Sequence, residues 1–285
     1  MSTSIDVGAV KVTSLNDGTV HLPPMYYPGL DFGAHPELLE ADGTYHIPAG
    51  CFLIQGGGFT ILVDAGLGPP DTNVPFPEDI AAKAGLADPP EWIAEGGLLP
   101  DSLAAAGVAP ADVDTVFLTH LHPDHIGWVA PDADLFFPNA EVVCGAADWE
   151  APASPAPGEA ERRAGLETAA AAGTLRTVGA PVVEIAPGVV ARHTPGHTPG
   201  HYAVAVSSDG EEAHLLGDAV HHPLQLMDKG ISFLLEDTPD HALRTREELF
   251  DALEGREAAV CMAHLPGLRF QRITNRDGRR EWTPV

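Results

Sequence analysis

The run His120-Leu121-His122-Pro123-Asp124-His125 sets four groups able to ligate a metal within six residues. Alternate residues of an extended segment point the same way, so His120 and His122 can hold one ion together. As the chain turns after Pro123, Asp124 and His125 can face a second ion beside the first. Imidazole with carboxylate and no thiolate suits Zn²⁺, with Mn²⁺, Fe²⁺ or Co²⁺ as substitutes. Three further blocks follow: Thr194-Pro195-Gly196-His197-Thr198-Pro199-Gly200-His201, Leu215-Leu216-Gly217-Asp218, and Ala263-His264. Glycine and proline in the first of these permit a tight turn that aims a histidine back over a sheet. Each block alone has a plain explanation as turn, surface or core. Together they are four metal-capable strand ends, and that constellation outweighs a chance histidine cluster on a solvated loop.

The elements that must carry these blocks are mostly short strands. VGAVKVTSL, AGCFLIQ and FTILVDAG fill the first quarter, the last two reading as a hairpin around Gly56-Gly57-Gly58 that ends in Asp64-Ala65-Gly66. Residues 69–97, rich in Pro, Gly and acidic groups, read as a long surface excursion of the kind that lines binding sites. A helix from Asp101 leads to the apolar strand Thr115–Leu118, which the metal motif follows directly. AEVVCG reads as a strand, AADWE as helical, 151–158 as a Pro/Ala/Gly linker, and the stretch through Ala172 as an Ala-rich helix. Strands PVVEIA, GVVARHT, HYAVAVSS and EAHLLGD follow, then a helix over Asp240–Leu253 and the strands EAAVCMAH and LRFQRIT. Two similar halves of strands followed by a helix suit two sheets packed face to face with helices outside, better than a doubly wound parallel sheet. The linker is a possible boundary, but polar clusters on both its sides converge more sensibly in one domain spanning 1–285.

Composition narrows the chemistry. With 15 Lys+Arg against 41 Asp+Glu, the formal net charge is −26. Such a surface repels phosphate backbones and anionic headgroups, which excludes nucleic acid and membrane partners. The expected partner is a small, neutral, hydrophobic substrate, and a homodimer is compatible with the sequence. Cys51, Cys144 and Cys261 are too few and scattered for a disulfide framework and read as core residues in a reducing compartment. No basic-then-apolar leader opens the chain and no run of about 18 apolar residues occurs, so the expected location is the cytoplasm.

Asp64, the HxHxDH run at 120–125, TPGHTPGH at 194–201, Gly217-Asp218 and His264 together resemble the metallo-β-lactamase superfamily, in order and with its spacings, from about Gly50 onward. The resemblance implies an α/β fold, an αββα sandwich of two mixed sheets with two metals in a cleft at one edge. It implies that His120, His122 and His197 bind the first metal, that Asp124, His125 and His264 bind the second, and that Asp218 bridges both. Asp64 is implied to orient a ligand histidine, and His201 to be structural. His21, His35, His46, His193, His214 and His241 match no ligand position; of these, His21, His35 and His46 are the candidates for residues near the pocket.

Two such metals, about 3.5–4 Å apart, lower the pKa of a shared water toward neutrality, so the expected reaction is hydroxide attack on an ester-type bond. Fold and metals do not fix the substrate. The phrases GGLLPDSLAAAGVAPADVDTVFLTHLHPDHIGW and LLGDAVHHPLQ most resemble the branch holding lactonases, aryl-lactone hydrolases and methyl parathion hydrolase. Acyl-homoserine lactonases of this fold usually place a tyrosine three residues after the bridging aspartate; here that position is His221. Histidine there looks more like aryl-lactone hydrolases. The candidate catalytic residues are therefore Asp124, Asp218 and His221, with lactone or carboxylic-ester hydrolysis expected. A phosphotriesterase, a thioesterase or a non-hydrolytic biosynthetic member remain alternatives. Phe52, Trp128, Phe136, Leu224, Met227 and Phe233 are the apolar candidates for the pocket wall.

Overall fold

The alternation of apolar residues along 10–22 and 45–56 dictates strands with one face in the core, and the computed structural model builds two long ones there. The structure describes residues 3–70, 93–151 and 159–285. Most of the expected excursion at 69–97, namely 71–92, and residues 152–158 of the linker lie outside the described residues. The first sheet comprises β1 (Ser4–Val7), β2 (Val10–Leu22), β3 (Tyr45–Gly56), β4 (Phe59–Val63), β5 (Ile93–Glu95), β6 (Thr115–Phe117), β7 (Glu141–Gly145) and β8 (Leu175–Val178), in the order β1-β2-β3-β4-β6-β7-β8 with β5 beside β2. The second comprises β9 (Val182–Ala186), β10 (Val189–His193), β11 (Tyr202–Ser208), β12 (Glu211–Leu215), β13 (Ala259–Cys261), β14 (Gln271–Arg276) and β15 (Arg279–Pro284), paired in reverse sequence order from β15 to β9. Both sheets are mixed: β4, β6, β7 and β8 run parallel, as do β12 and β13.

The sheets face each other across an apolar layer. Val12, Phe52, Ile54, Ile61, Val63 and Phe117 of the first sheet meet Val189, Val204, Val206 and Leu215 of the second. The α-helices among the described residues are α1 (Leu99–Ala105), α2 (Pro123–Ile126), α3 (Ala146–Glu150), α4 (Glu159–Ala171) and α5 (Pro239–Leu253), joined by short 3₁₀ turns. Leu99 and Leu103 of α1 and Leu166 and Ala169 of α4 cover the far face of the first sheet, against Leu53, Leu62, Val116 and Val142. Phe250 and Leu253 of α5 join the core of the second. This is the αββα sandwich expected of the sequence. Cys51, Cys144 and Cys261 are all buried and unpaired.

Four strands were not read from the sequence: β1; β5, which lies inside the expected excursion at 69–97 but pairs with β2; β8; and β15. β1 and β5 are short, β8 (LRTV) is mostly exposed, and β15 (RREWTP) carries two arginines and a proline on an edge, so none shows a clean, long alternation. β8 follows the 151–158 stretch yet pairs with β7, Val142 opposite Leu175, so chain on both sides of that stretch contributes to one sheet. Parallel pairing matters for the site: β4 and β6 release the chain at one edge of the first sheet, and β12 and β13 do so in the second. Four of the chemistry-bearing blocks lie just past those ends. No helix among the described residues is long and apolar enough to cross a membrane.

Candidate metal centre

β4 ends at Asp64, which adopts a left-handed backbone (φ 64) while fully buried. Such strain persists only where the surroundings impose it. Here Asp64 Oδ1 accepts from the Thr119 backbone N–H at 2.7 Å, and both carboxylate oxygens accept from the Thr119 hydroxyl. That locks the chain leaving β6. Pro123 then opens α2, whose first turn carries Asp124 and His125. The 194–201 loop leaves β10 and is tied on both sides: Asp148 of α3 accepts from the Thr198 hydroxyl (2.8 Å) and the Gly200 N–H (2.5 Å), while His197 and Gly196 carbonyls accept from Asp237 and Thr238. Gly196 (φ 136) lies so close to α5 that a Cβ would stand 2.3 Å from the Ala242 nitrogen, so no other residue fits. Gly217 (φ 52) gives the turn after β12, where a Cβ would collide with His201 Nε2 at 2.7 Å.

The seven expected ligands come together. His120 Nε2, His122 Nδ1 and His197 Nε2 form one group: His197 Nε2 is 3.2 Å from His120 Nε2 and 2.9 Å from His122 Nδ1. Asp124, His125 and His264 form a second group, with ligand atoms all within 4.8 Å of one another. Asp218 stands between them. Its Oδ2 lies 3.3 Å from His197 Nε2 and 3.0 Å from His264 Nε2, and its Oδ1 is 3.5 Å from His125 Nε2. His120, His125, His197, Asp218 and His264 are buried, whereas His122 and Asp124 are half-buried on the side open to solvent.

The hydrogen bonds behind the histidines decide which nitrogen faces inward. The Thr119 hydroxyl spends its proton on Asp64, so toward His120 Nδ1, 3.1 Å away, it accepts. Nδ1 of His264 faces the Pro48 carbonyl at 2.8 Å, and Nδ1 of His125 faces Asp64 Oδ2 at 2.9 Å. A carbonyl or carboxylate can only accept. His120 and His264 therefore carry hydrogen on Nδ1 and turn an Nε2 lone pair inward, the arrangement typical of metal-ligating histidine, and the Asp64 carboxylate beside His125 Nδ1 favours the same tautomer there. Those lone pairs face one another and the oxygens of Asp218 and Asp124. Buried electron-rich atoms at such distances need a cation between them. Without one, only protons can serve. Burial pushes His120 and His197 well below the usual histidine range. It opposes charge on His125 and His264 too, but the facing carboxylates, Asp218 foremost, outweigh it and push both up. Burial likewise disfavours ionised Asp218, yet His264, His125 and His221 hold its carboxyl well below the usual range. The donor set fits a pair of divalent ions.

His221 reaches the same centre. Its Nε2 is 3.2 Å from Asp218 Oδ2, and its Nδ1 is 3.0 Å from the hydroxyl of Tyr27. Phe233 stacks on the ring at 3.5 Å between centroids. Burial pushes the Tyr27 phenol well above its ordinary value, so it keeps its proton and donates to Nδ1. The ring's own proton then sits on Nε2, facing the site. Burial pushes His221 down to about 4, which keeps it neutral near pH 7. His222 turns the other way: its Nδ1 accepts from the Leu224 N–H, and its ring packs on Tyr45 and Tyr27. His201 is structural, as expected: its Nδ1 pairs with the Thr194 hydroxyl and its Nε2 accepts from the Asp218 N–H.

Several contributors were missed from the sequence. Tyr27, Asp148 and Asp17 carry no local signal; Asp17, fully buried, accepts from Gly68, Leu99 and the Trp128 indole. Of the apolar candidates only Phe233 stacks on a site residue. Phe52 belongs to the inter-sheet core, Trp128 and Phe136 pack in the layer under the helices, and Met227 is exposed.

Asp64→Asn should keep the fold, since asparagine tolerates the left-handed backbone, but it weakens the hold on His125 and on Thr119 behind His120. Chelator competition should show a loss of about 10–100-fold in metal affinity. Unchanged affinity would mean that Asp64 serves the fold alone.

A family model described as the metallo-beta-lactamase superfamily matches residues 48–264. The chain is 26% identical over 189 residues to an N-acyl homoserine lactonase of Bacillus sp, covering 63% of this chain and 66%, just under two thirds, of that relative. Among solved structures, the hydrolase AbOPH, described as in the beta lactamase superfamily, matches with a TM-score of 0.78 at 24% identity over 100% of this chain and 97% of that one. AidC, a dizinc quorum-quenching lactonase in complex with a homoserine product, matches with a TM-score of 0.78 at 22% identity, again over 100% and 97%.

Proposed function

The chain belongs to the metallo-beta-lactamase superfamily, and we propose that it is a dinuclear metal-dependent hydrolase that opens lactones and cleaves carboxylic esters. One observation carries this reading. Asp218 stands within 3.3 Å of a histidine from each of two three-residue ligand groups. His120, His122 and His197 would hold one divalent ion, Asp124, His125 and His264 the other, with Asp218 between the two groups. Zn²⁺ suits the donors best, with Mn²⁺, Fe²⁺ or Co²⁺ as substitutes. Two divalent ions supply a water acidic enough to attack at neutral pH and a Lewis acid for the substrate oxygen.

The chain's own residues do the rest. Asp124, partly exposed to solvent, stands beside His125 and His264 where water reaches the centre. His221 turns its Nε2–H toward the centre, held there by Tyr27 and Phe233. It donates a hydrogen bond to the carbonyl oxygen as negative charge develops there. Phe233 offers an apolar surface beside it. With a net charge of −26, the protein favours neutral over anionic substrates. Three buried, unpaired cysteines fit a reducing compartment, and we place the protein in the cytoplasm.

The test is a panel of acyl-homoserine lactones, aryl lactones, aryl esters, thioesters, phosphotriesters, β-lactams and cyclic nucleotides. A neutral lactone or ester should show the highest kcat/KM. Much faster turnover of a phosphotriester, a β-lactam or a cyclic nucleotide would overturn the assignment.

A further inference from the structure

β2 and β3 carry a second histidine cluster on the face opposite the buried tyrosine core. Leu22 and Tyr45 pair across these strands and point inward; the next pair, His21 and His46, points outward. Their rings stack at 3.7 Å between centroids. The loop from Glu40 to Thr44 folds back over them. Glu40 N–H and Thr44 carbonyl close it at 2.9 Å, and Asp42 Oδ1 accepts from both the Thr44 N–H and hydroxyl. This leaves Asp42 Oδ2 between the imidazoles, 3.0 Å from His46 Nε2 and 3.5 Å from His21 Nδ1. The three ligand atoms lie within 4.8 Å of one another.

His21 supplies the independent observation. Its Nδ1 is buried and makes no hydrogen bond. Its other nitrogen, Nε2, faces Glu95 Oε2 of β5 at 3.6 Å. Carboxylates thus stand at both ring nitrogens of His21 without hydrogen-bonding to either. A cation among His21 Nδ1, Asp42 Oδ2 and His46 Nε2 would give the buried nitrogen its partner. Two imidazoles, one carboxylate and an open position toward solvent are a donor set for a borderline divalent ion. The strongly negative protein also concentrates cations at its surface.

We propose that His21, Asp42 and His46 form a separate peripheral site for one transition-metal ion of the Zn²⁺ type, which clamps the 40–44 loop onto β2 and β3. The same strands carry Tyr45 on their inner face, against Tyr27 and His222, so the site lies on the opposite side of the strands from the main centre.

The test is equilibrium dialysis against Zn²⁺ of the metal-loaded wild type, His46→Gln and Asp42→Ala, followed by elemental analysis. The difference between proteins is the readout, whatever the main centre holds. Wild type should carry one zinc per chain more than either variant, and Zn²⁺ should raise its melting temperature more. Hydrolysis of a simple ester should be equal in all three. Asp42 lies in an exposed loop, so Asp42→Ala still gives an answer if His46→Gln folds poorly. Equal zinc content in wild type and Asp42→Ala would overturn the proposal and leave a proton-bridged His–Asp cluster only.

Discussion

Asp218→Ala is expected to lose at least one metal ion per chain and to reduce hydrolysis by several orders of magnitude. Its carboxylate lies within 3.5 Å of histidines from both ligand sets, and removing it would leave two cations facing each other without that negative charge between them. The side chain is also buried, so water replaces it poorly. The backbone need not change: the Asp218 N–H keeps its bond to His201 Nε2, and the Gly217 turn is unaffected. Elemental analysis and kcat/KM on the best ester substrate decide the matter. A folded variant holding both ions, with activity within about tenfold of wild type, would reduce Asp218 to a turn residue that ends β12; loss of a single catalytic charge-stabilising donor already costs more than that.

His221→Phe is expected to retain both metal ions while losing about 10²–10³ in kcat on carboxylic substrates, the usual cost of one donor to a developing oxyanion. Phenylalanine preserves the stack on Phe233 but offers no Nε2–H toward Asp218 and leaves the Tyr27 hydroxyl without its acceptor. KM should move far less than kcat, because the donor acts chiefly as charge develops. The neighbouring His222→Phe is the control. His222 accepts from the Leu224 N–H and packs on Tyr45, away from the metal ligands. Its loss should cost about 1 kcal/mol of stability in urea unfolding and leave kcat unchanged. Equal kcat for His221→Phe and wild type would show that the metals act without the imidazole.

Much of this centre was legible from the sequence because each ligand block sits at the end of a strand with its own apolar signature. Thr115–Phe117 leads into the HxHxDH run, and Glu211–Leu215 leads into Gly217-Asp218. The helix Pro239–Leu253 was equally plain, since Ala242, Phe250 and Leu253 recur on one buried face. What sequence reasoning missed depends on long-range closure. Tyr27 meets His221 across 194 positions, and Asp17 meets Trp128 across 111. Neither tyrosine nor aspartate announces such a partner locally. The pocket wall was overcalled for the same reason: Phe52 and Trp128 stand close in sequence to the site's strands, yet their side chains point into the inter-sheet and helix-side cores. Adjacent His221 and His222 look alike on paper. Tertiary packing alone makes one a donor to the centre and the other a cap on the following turn.

The central claim is that hydrolysis here depends on two ions held by these seven side chains. The most direct measurement is metal content by elemental analysis alongside lactone hydrolysis, before chelation, after it, and after re-addition of Zn²⁺, Mn²⁺ or Co²⁺. The account predicts at least two ions per chain in the active protein, background hydrolysis after chelation, and recovery on reloading. Full activity in protein carrying only trace metal would contradict it.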